Sequence, residues 1–145
     1  MRVINRRARH NYHIIEKLEA GIVLSGFEVK SAKMGRVDLN EGFARIENGE
    51  LQLKNVYIHP FQNPPQGYNP RESRKLLLHK AELHRLTGKI SQSGLNLIPL
   101  SLYTRRNLIK VELGLAASKK KYDKRRAIKE RDEARKTEQE LSYRG

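Results

Sequence analysis

Apolar and polar residues alternate along most of the first 118 residues, with the period of two that is typical of half-buried β-strands. Residues 43–46 and 51–58 carry this alternation on either side of Asn48-Gly49, a dipeptide favoured in two-residue hairpin turns. The pattern therefore predicts a β-hairpin at this point. Further strands are predicted at residues 12–15, 21–24, 95–102 and 109–115, the last two forming a pair joined around residues 105–107.

Two segments interrupt the strand pattern and predict helices. Within residues 82–90, Leu83, Leu86 and Ile90 recur at helical spacing, and His79 stands before Glu82 at the spacing of a capping box. Residues 26–34 are predicted as a second short helix. Residues 59–75 hold four of the five prolines, so we expect a long surface loop there.

The order of these elements favours a small barrel. An antiparallel barrel with a helix inserted between groups of strands is typical of an OB-fold. Another small β-barrel fits the alternation equally well, and the pattern alone does not separate the two. The prediction is a mainly β fold, an OB-fold-like antiparallel barrel with flanking helices.

The composition changes near residue 118. Residues 119–145 carry 11 Lys and Arg, 6 Asp and Glu, and too few apolar residues for a buried helix face. Opposite charges recur at helical spacing, but each such pair contributes only roughly a few tenths of a kcal/mol. We therefore predict a barrel at residues 1–118 with a basic N-terminal arm. Residues 119–145 are predicted to form a basic tail, largely disordered alone and helical against a polyanionic surface.

The net charge of +14 and the isoelectric point near 10.2 indicate a polyanionic partner, because cations that contact phosphates release condensed counterions. A generic basic protein, whose surplus lysines serve solubility, is the alternative. The chain has no cysteine, and no apolar stretch approaches the roughly 20 residues of a membrane span. Its first residues lack the apolar segment of a secretory signal, so we expect a soluble cytoplasmic protein with no membrane partner.

Catalytic motifs are missing from the sequence. It has no Gly-x-x-x-x-Gly-Lys-Ser/Thr loop, no His-Glu-x-x-His pair and no Gly-x-Ser-x-Gly elbow. The five histidines are scattered, and three aspartates are too few to suggest a multi-carboxylate magnesium site. We predict neither enzyme activity nor a metal or cofactor.

Basic residues cluster in three places that are candidates for phosphate contacts. One cluster has Lys30, Lys33 and Arg36 at intervals of three, after the start of the predicted helix. A second lies where the long loop re-enters the fold, and a third surrounds an aromatic ring in the tail. The members of these two are Arg71, Arg74 and Lys75, and Lys119 to Arg126 around Tyr122. Within the third, Asp123 is a candidate helix cap or an acceptor for base amino groups.

Six segments, in order along nearly the whole chain, resemble the SsrA-binding protein family, the protein partners of transfer-messenger RNA (tmRNA). They are Asn5-Arg6-Arg7-Ala8-Arg9-His10-Asn11-Tyr12, Glu19-Ala20-Gly21-Ile22-Val23-Leu24-Ser25-Gly26-Phe27-Glu28-Val29-Lys30-Ser31, Arg74-Lys75-Leu76-Leu77-Leu78-His79-Lys80, Leu100-Ser101-Leu102-Tyr103, Lys110-Val111-Glu112-Leu113-Gly114-Leu115-Ala116 and Tyr122-Asp123-Lys124-Arg125. The resemblance implies an OB-fold-like barrel, a basic tail and no enzyme activity. In this family the barrel holds the tRNA-like domain of tmRNA.

The resemblance also implies roles for individual residues. Glu19, Leu77 and His79 match positions on the family's RNA-binding face, although some members have Asn where this chain has His79. The tail residues that match the motif used in the ribosomal decoding centre are Tyr122, Asp123, Lys124 and Arg125. The complex enters ribosomes stalled on messages without a usable stop codon. There the tail occupies the empty mRNA channel, and translation switches to the reading frame of tmRNA, which adds a degradation tag.

The partners implied are tmRNA, the stalled ribosome and, through charged tmRNA, elongation factor Tu and alanyl-tRNA synthetase, with the protein itself a monomer. The alternative from a different class is a general RNA chaperone or a structural ribosomal protein of OB type. Such a protein would share the basic barrel but have little RNA specificity.

Overall fold

The structure is a computed structural model that describes residues 1–119. Its strands are β1 (Arg2–Ile4), β2 (Tyr12–Ile22), β3 (Val37–Asp38), β4 (Phe43–Glu47), β5 (Glu50–Lys54), β6 (Tyr57–Ile58), β7 (Arg74–Leu77), β8 (Asn96–Arg105) and β9 (Leu108–Ser118). Its helices are α1 (Arg6–Asn11), α2 (Gly26–Lys33) and α3 (Lys80–Ser93). None of the helices described in these residues is long and apolar enough to cross a membrane.

Strand pairing closes the main sheet into a barrel. Around the ring, β8 pairs with β4, β4 with β5, β5 with β7, β7 with β2, β2 with β9, and β9 with β8 again. All these pairs are antiparallel, β1 adds to the sheet beside β8, and β3 and β6 form a separate two-stranded ribbon. This confirms the mainly β, OB-fold-like antiparallel barrel with flanking helices, although the ring has six strands where an OB-fold typically has five.

Both predicted hairpins are present. Asn48 and Gly49 have φ values of +52° and +75°, and Arg106 and Asn107 have +51° and +63°, the left-handed pair that matches the twist of a two-residue turn. The return strand of the first hairpin is shorter than predicted. It ends at Lys54, and after Asn55 (φ +58°) the chain leaves the barrel, so that β6 pairs with β3 instead.

Other elements differ from the sequence prediction in extent. The segment predicted at residues 12–15 and the first two residues of the one predicted at 21–24 belong to one strand, β2, and α3 is longer than predicted. His79 is the N-cap of α3, but its side chain makes no capping hydrogen bond. The basic N-terminal arm contains β1 and α1, where the buried side chain of Asn5 caps α1 by accepting from the Ala8 amide.

Leucine and valine side chains fill the barrel. Leu53, Val111 and Leu113 are at most 1% exposed, and α3 adds the fully buried Leu86 to the same cluster. Because side chains alternate between the two faces of a strand, the residues next to these point outwards and are available to a partner. The last strand ends at Ser118, and the domain boundary expected there stays a prediction.

A buried ion pair joins β7 to α2. The guanidinium of Arg74, whose side chain is 3% exposed, lies 2.7 Å from Oε2 of Glu28, and it also donates to the Val56 and Pro70 carbonyl oxygens. The hydroxyl of Tyr68 donates to the same carboxylate. Each buried charge is therefore matched by an opposite charge and by hydrogen bonds, which is the arrangement that a buried pair requires.

Replacing Arg74 with methionine should strongly destabilise the fold, because the Glu28 carboxylate would stay buried without its partner. We expect the free energy of unfolding to fall by about 3–5 kcal/mol in urea denaturation. The exposed neighbour gives a matched control, since Lys75→Met should change the stability very little. Equal stability of the two variants would contradict the structural role of Arg74.

Candidate nucleic-acid interface

Glu19 lies at the centre of a charged and aromatic cluster on the outside of the barrel. It points outwards from β2 and reaches across β9 to two side chains of β8. The hydroxyl of Tyr103 donates to Oε2 of Glu19, and Nη1 of Arg105 lies 3.2 Å from both carboxylate oxygens. The carboxylate thus holds a ring and a guanidinium in fixed positions next to each other.

These contacts shift the pKa values of Glu19 and Tyr103. The hydrogen bond from Tyr103 is the main reason that the pKa of Glu19 lies below its ordinary value, and Arg105 adds to the effect. Partial burial, together with the Glu19 carboxylate, raises the pKa of Tyr103 to about 12. At neutral pH Glu19 is therefore an anion and Tyr103 a neutral donor.

Replacing Tyr103 with phenylalanine should raise the pKa of Glu19 towards its ordinary value, because the main hydrogen bond to the carboxylate is lost. An NMR titration of the Glu19 side-chain carboxyl carbon measures this pKa directly. A Tyr12→Phe variant is the control, since that ring lies at the other end of β2. An unchanged Glu19 pKa in Tyr103→Phe would show that the two groups are not bonded in solution.

Two further cations complete the cluster. Lys110 on β9 is opposite both Gly21 and Tyr103, and the guanidinium of Arg2 lies 5.0 Å from the centre of the Tyr103 ring. Three cations, Arg2, Arg105 and Lys110, therefore lie around the acidic centre, as expected where an acid orients cations on a phosphate-binding face. Glu112, the neighbour of Glu19 on β9, adds a second carboxylate to it.

An exposed leucine extends this cluster along β7. Leu77 is 51% exposed and is paired with Gly21 of β2. A Cβ at Gly21 would lie only 3.3 Å from Cβ of Leu77, so the glycine leaves room for this side chain. Lys75 and His79 are exposed on either side of Leu77, and Lys75 forms an ion pair with Glu50 at 3.3 Å. We call the combined face the Glu19 surface; its members are Arg2, Glu19, Lys75, Leu77, His79, Tyr103, Arg105 and Lys110.

The structure fixes the middle of α3, the helix that follows His79, against the barrel. Glu16 on β2 accepts from Arg85 and Lys89 of α3, each at 2.7 Å. The hydrogen bond from Arg85 is the largest cause that lowers the pKa of Glu16 to about 2. This carboxylate stays ionised down to strongly acidic pH and holds α3 on β2.

Lys30, Lys33 and Arg36 form a second group. The two lysines occupy the last turn of α2, where positive charge interacts favourably with the helix dipole, and all three residues are exposed. The ammonium of Lys30 lies 5.8 Å from the centre of the Phe61 ring. The structure therefore presents these cations to solvent, as a phosphate contact requires.

The prediction that Arg74 contacts a phosphate is wrong. Its side chain is buried, and its guanidinium is bonded to Glu28 and two carbonyl oxygens. The four predicted tail residues Tyr122, Asp123, Lys124 and Arg125 lie outside the described residues.

Sequence reasoning missed four members of the Glu19 surface: Arg2, Tyr103, Arg105 and Lys110. Strand alternation would have placed Tyr103 and Arg105 on one face. Their contact with Glu19 depends on the register of three strands, which no local pattern contains. Within residues 1–119, no group of three or more His, Asp or Glu side chains is arranged to hold a metal ion.

A closed antiparallel barrel with flanking helices and outward-facing cations defines a protein of the OB-fold-like, nucleic-acid-binding class. The family model described as SmpB protein matches residues 2–143. The SsrA-binding protein of Carboxydothermus hydrogenoformans is 53% identical over 97% of this chain and 95% of that protein. The SsrA-binding protein of Trichodesmium erythraeum is also 53% identical, over 90% of this chain and 85% of that protein. The chain therefore belongs to the SmpB protein family.

A solved structure supports the same conclusion. A chain in the structure described as "tmRNA-SmpB: a journey to the center of the bacterial ribosome" is 54% identical and has a TM-score of 0.66. The match covers 79% of this chain and 82% of that chain.

Proposed function

We propose that this protein is an RNA-binding adaptor of trans-translation that binds the tRNA-like domain of tmRNA. The observation that carries the proposal is its identity of 53% to an SsrA-binding protein over nearly the full length of both chains. The Glu19 surface supports it physically. Anchored cations suit phosphates, and the exposed ring and leucine suit bases or sugars.

Within this function we assign the barrel and the tail different tasks. Residues 1–118 hold the RNA through the Glu19 surface and the cations Lys30, Lys33 and Arg36. Residues 119–145 enter the empty mRNA channel of a stalled ribosome, where Tyr122, Asp123, Lys124 and Arg125 engage the decoding centre. The nascent peptide is then tagged and the ribosome released. The protein carries out no chemical step itself, acts as a monomer, and meets elongation factor Tu and alanyl-tRNA synthetase through charged tmRNA.

A comparison of two RNAs tests the function. The affinity of the full chain for the tRNA-like domain should exceed its affinity for an unstructured RNA of equal length and charge, at physiological ionic strength. Equal affinities would contradict the proposal and favour a general RNA chaperone. Because non-specific contacts to phosphates respond to charge density, which folding of an RNA raises, an unrelated folded RNA of equal length is the second reference.

The affinity for the tRNA-like domain should fall steeply with salt. Arg74 is buried, and the other five predicted cations outside the tail are exposed: Lys30, Lys33, Arg36, Arg71 and Lys75. If about five cations of the barrel contact phosphates, a plot of log K against log salt concentration should have a slope of about −3.5 to −4.5. Fluorescence anisotropy over a salt series measures this slope. A slope near zero would remove phosphate contacts from the account.

A further inference from the structure

A second aromatic and basic surface lies on the ribbon formed by β3 and β6. Asp38 pairs with Tyr57 in this ribbon. At the end of the ribbon, the His59 amide donates to the Arg36 carbonyl oxygen at 3.0 Å. Val37 and Ile58 point into the core, being 8% and 1% exposed. Because side chains alternate along a strand, the residues before and after Val37 and Ile58 point to solvent.

Two rings share this outer face. The centres of the Tyr57 and His59 rings are 4.7 Å apart, and their planes cross at 85°. The guanidinium of Arg71 lies 5.3 Å from the centre of the Tyr57 ring. His59 is exposed and Tyr57 half-buried, so the two rings form a corner open to solvent and bordered by cations. We call this the ribbon surface; its members are Arg36, Tyr57, His59 and Arg71.

The ribbon surface is held in place from below. The hydroxyl of Ser31 donates to the His59 carbonyl oxygen at 2.6 Å, and the Tyr68 hydroxyl donates to the Ile58 carbonyl oxygen at 3.1 Å. Arg71 is positioned by the side-chain oxygen of Asn55, 3.1 Å from its Nη1. Backbone and guanidinium are therefore ordered before any partner arrives, which reduces the entropy cost of binding.

The charges on this face favour a polyanion. Arg36 and Arg71 belong to it, and the ammonium of Lys30 lies 5.8 Å from the centre of the Phe61 ring, two residues after His59. Two acids also lie nearby: Asp38, which pairs with Tyr57 in the ribbon, keeps its negative charge, whereas Glu41 is paired with cations. Asp38 accepts from the Asn40 amide at 2.9 Å, and Glu41 lies 3.7 Å from Arg71 and 4.0 Å from Arg7. Exposed rings beside guanidinium groups are the combination on which unpaired bases stack while their phosphates are neutralised.

We propose that the ribbon surface binds unpaired, single-stranded RNA, with bases stacked against His59 and Tyr57 and phosphates on Arg36 and Arg71. This goes beyond the structured RNA proposed above. It shares the cations Arg36 and Arg71 with the phosphate contacts proposed above, but it rests on the Tyr57 and His59 rings, and neither ring belongs to the Glu19 surface. Recognition by stacking tolerates any sequence, since every base offers a π-face.

Two RNA probes and one matched variant test this proposal. The probes are a fluorescein-labelled oligouridylate of about twelve nucleotides, which fits one OB-sized site, and the tRNA-like domain of tmRNA. His59→Ala should weaken oligouridylate binding by roughly tenfold, the effect of losing one stacked base. His84→Ala removes an exposed histidine from α3 instead and should leave this binding unchanged. Both variants should bind the tRNA-like domain as the parent does.

Three results would overturn the proposal. The first is no binding of oligouridylate by the parent protein. The second is equal oligouridylate affinity of the His59→Ala and His84→Ala variants. The third is a parallel loss of both RNAs in His59→Ala, which would show one shared interface. A Tyr57→Leu/His59→Ala double variant should bind oligouridylate more weakly still. If the double variant unfolds at a lower temperature than the parent, the result for His59→Ala decides the test. The His59 side chain is exposed and the hydrogen bonds of the ribbon use its backbone, so this single variant keeps the fold.

Discussion

Replacing Asp123, Lys124 and Arg125 together with alanine is expected to abolish peptide tagging on stalled ribosomes, while binding of the tRNA-like domain is nearly unchanged. The reason is the proposed division of labour, in which the barrel holds the RNA and these residues engage the decoding centre. The substitution changes the net charge by only −1. It therefore separates a specific contact from general electrostatic attraction, and a translation assay on a message without a stop codon measures the tagging.

A matched variant and a deletion complete this test. Changing Arg131, Asp132 and Lys136 to alanine alters the net charge by the same −1 and should leave tagging intact. Deleting residues 119–145 should abolish tagging but leave the barrel folded, because β9, the last strand within the described residues, ends at Ser118. If the first triple variant tags normally while the deletion does not, the tail acts as bulk positive charge and the assignment of these three residues is wrong.

Leu77→Asp should cause the largest loss of RNA affinity among single substitutions in the barrel. The side chain is 51% exposed, so its loss does not open a cavity in the core. The change removes an apolar contact and places a negative charge against phosphates, for which we expect a cost of about 2 kcal/mol, roughly thirtyfold in Kd. Anisotropy with the tRNA-like domain measures the affinity, and a thermal scan confirms that the variant is folded.

Ile15→Asp is the control for Leu77→Asp. Ile15 is exposed to the same degree, 52%, and lies towards the other end of β2. The two variants have the same net charge and lose a similar apolar area. An equal loss of affinity in both would show that only the charge of the barrel matters and that Leu77 makes no specific contact.

The hairpins and the fold class were predictable because their signals are local. Asn48-Gly49 specifies a turn by its backbone preference, and the alternation on both sides specifies two strands. The ribbon of β3 and β6 was not predicted, because it has no such local signal. β3 and β6 have two residues each, too few for any period to be seen, and they pair only because β5 ends at Lys54.

The candidate site was only partly predictable, because burial and pairing depend on residues far apart in the chain. In the sequence Arg74 looks like any surface cation. Only its contact with Glu28, 46 residues away, shows that it stabilises the fold. Glu19, in contrast, was predicted to bind RNA from the family resemblance. Its contacts were not predicted, because the ring and the guanidinium that it holds lie 84 and 86 residues away in the sequence.

The central claim is that the barrel selects one structured RNA, and the RNA that co-purifies with the affinity-tagged full chain tests it most directly. Sequencing of that RNA should show one dominant species with both a tRNA-like and a message-like part. The same species should be depleted from the Leu77→Asp variant and retained by Ile15→Asp. A broad mixture of cellular RNAs without a dominant species, retained equally by all three proteins, would contradict the account.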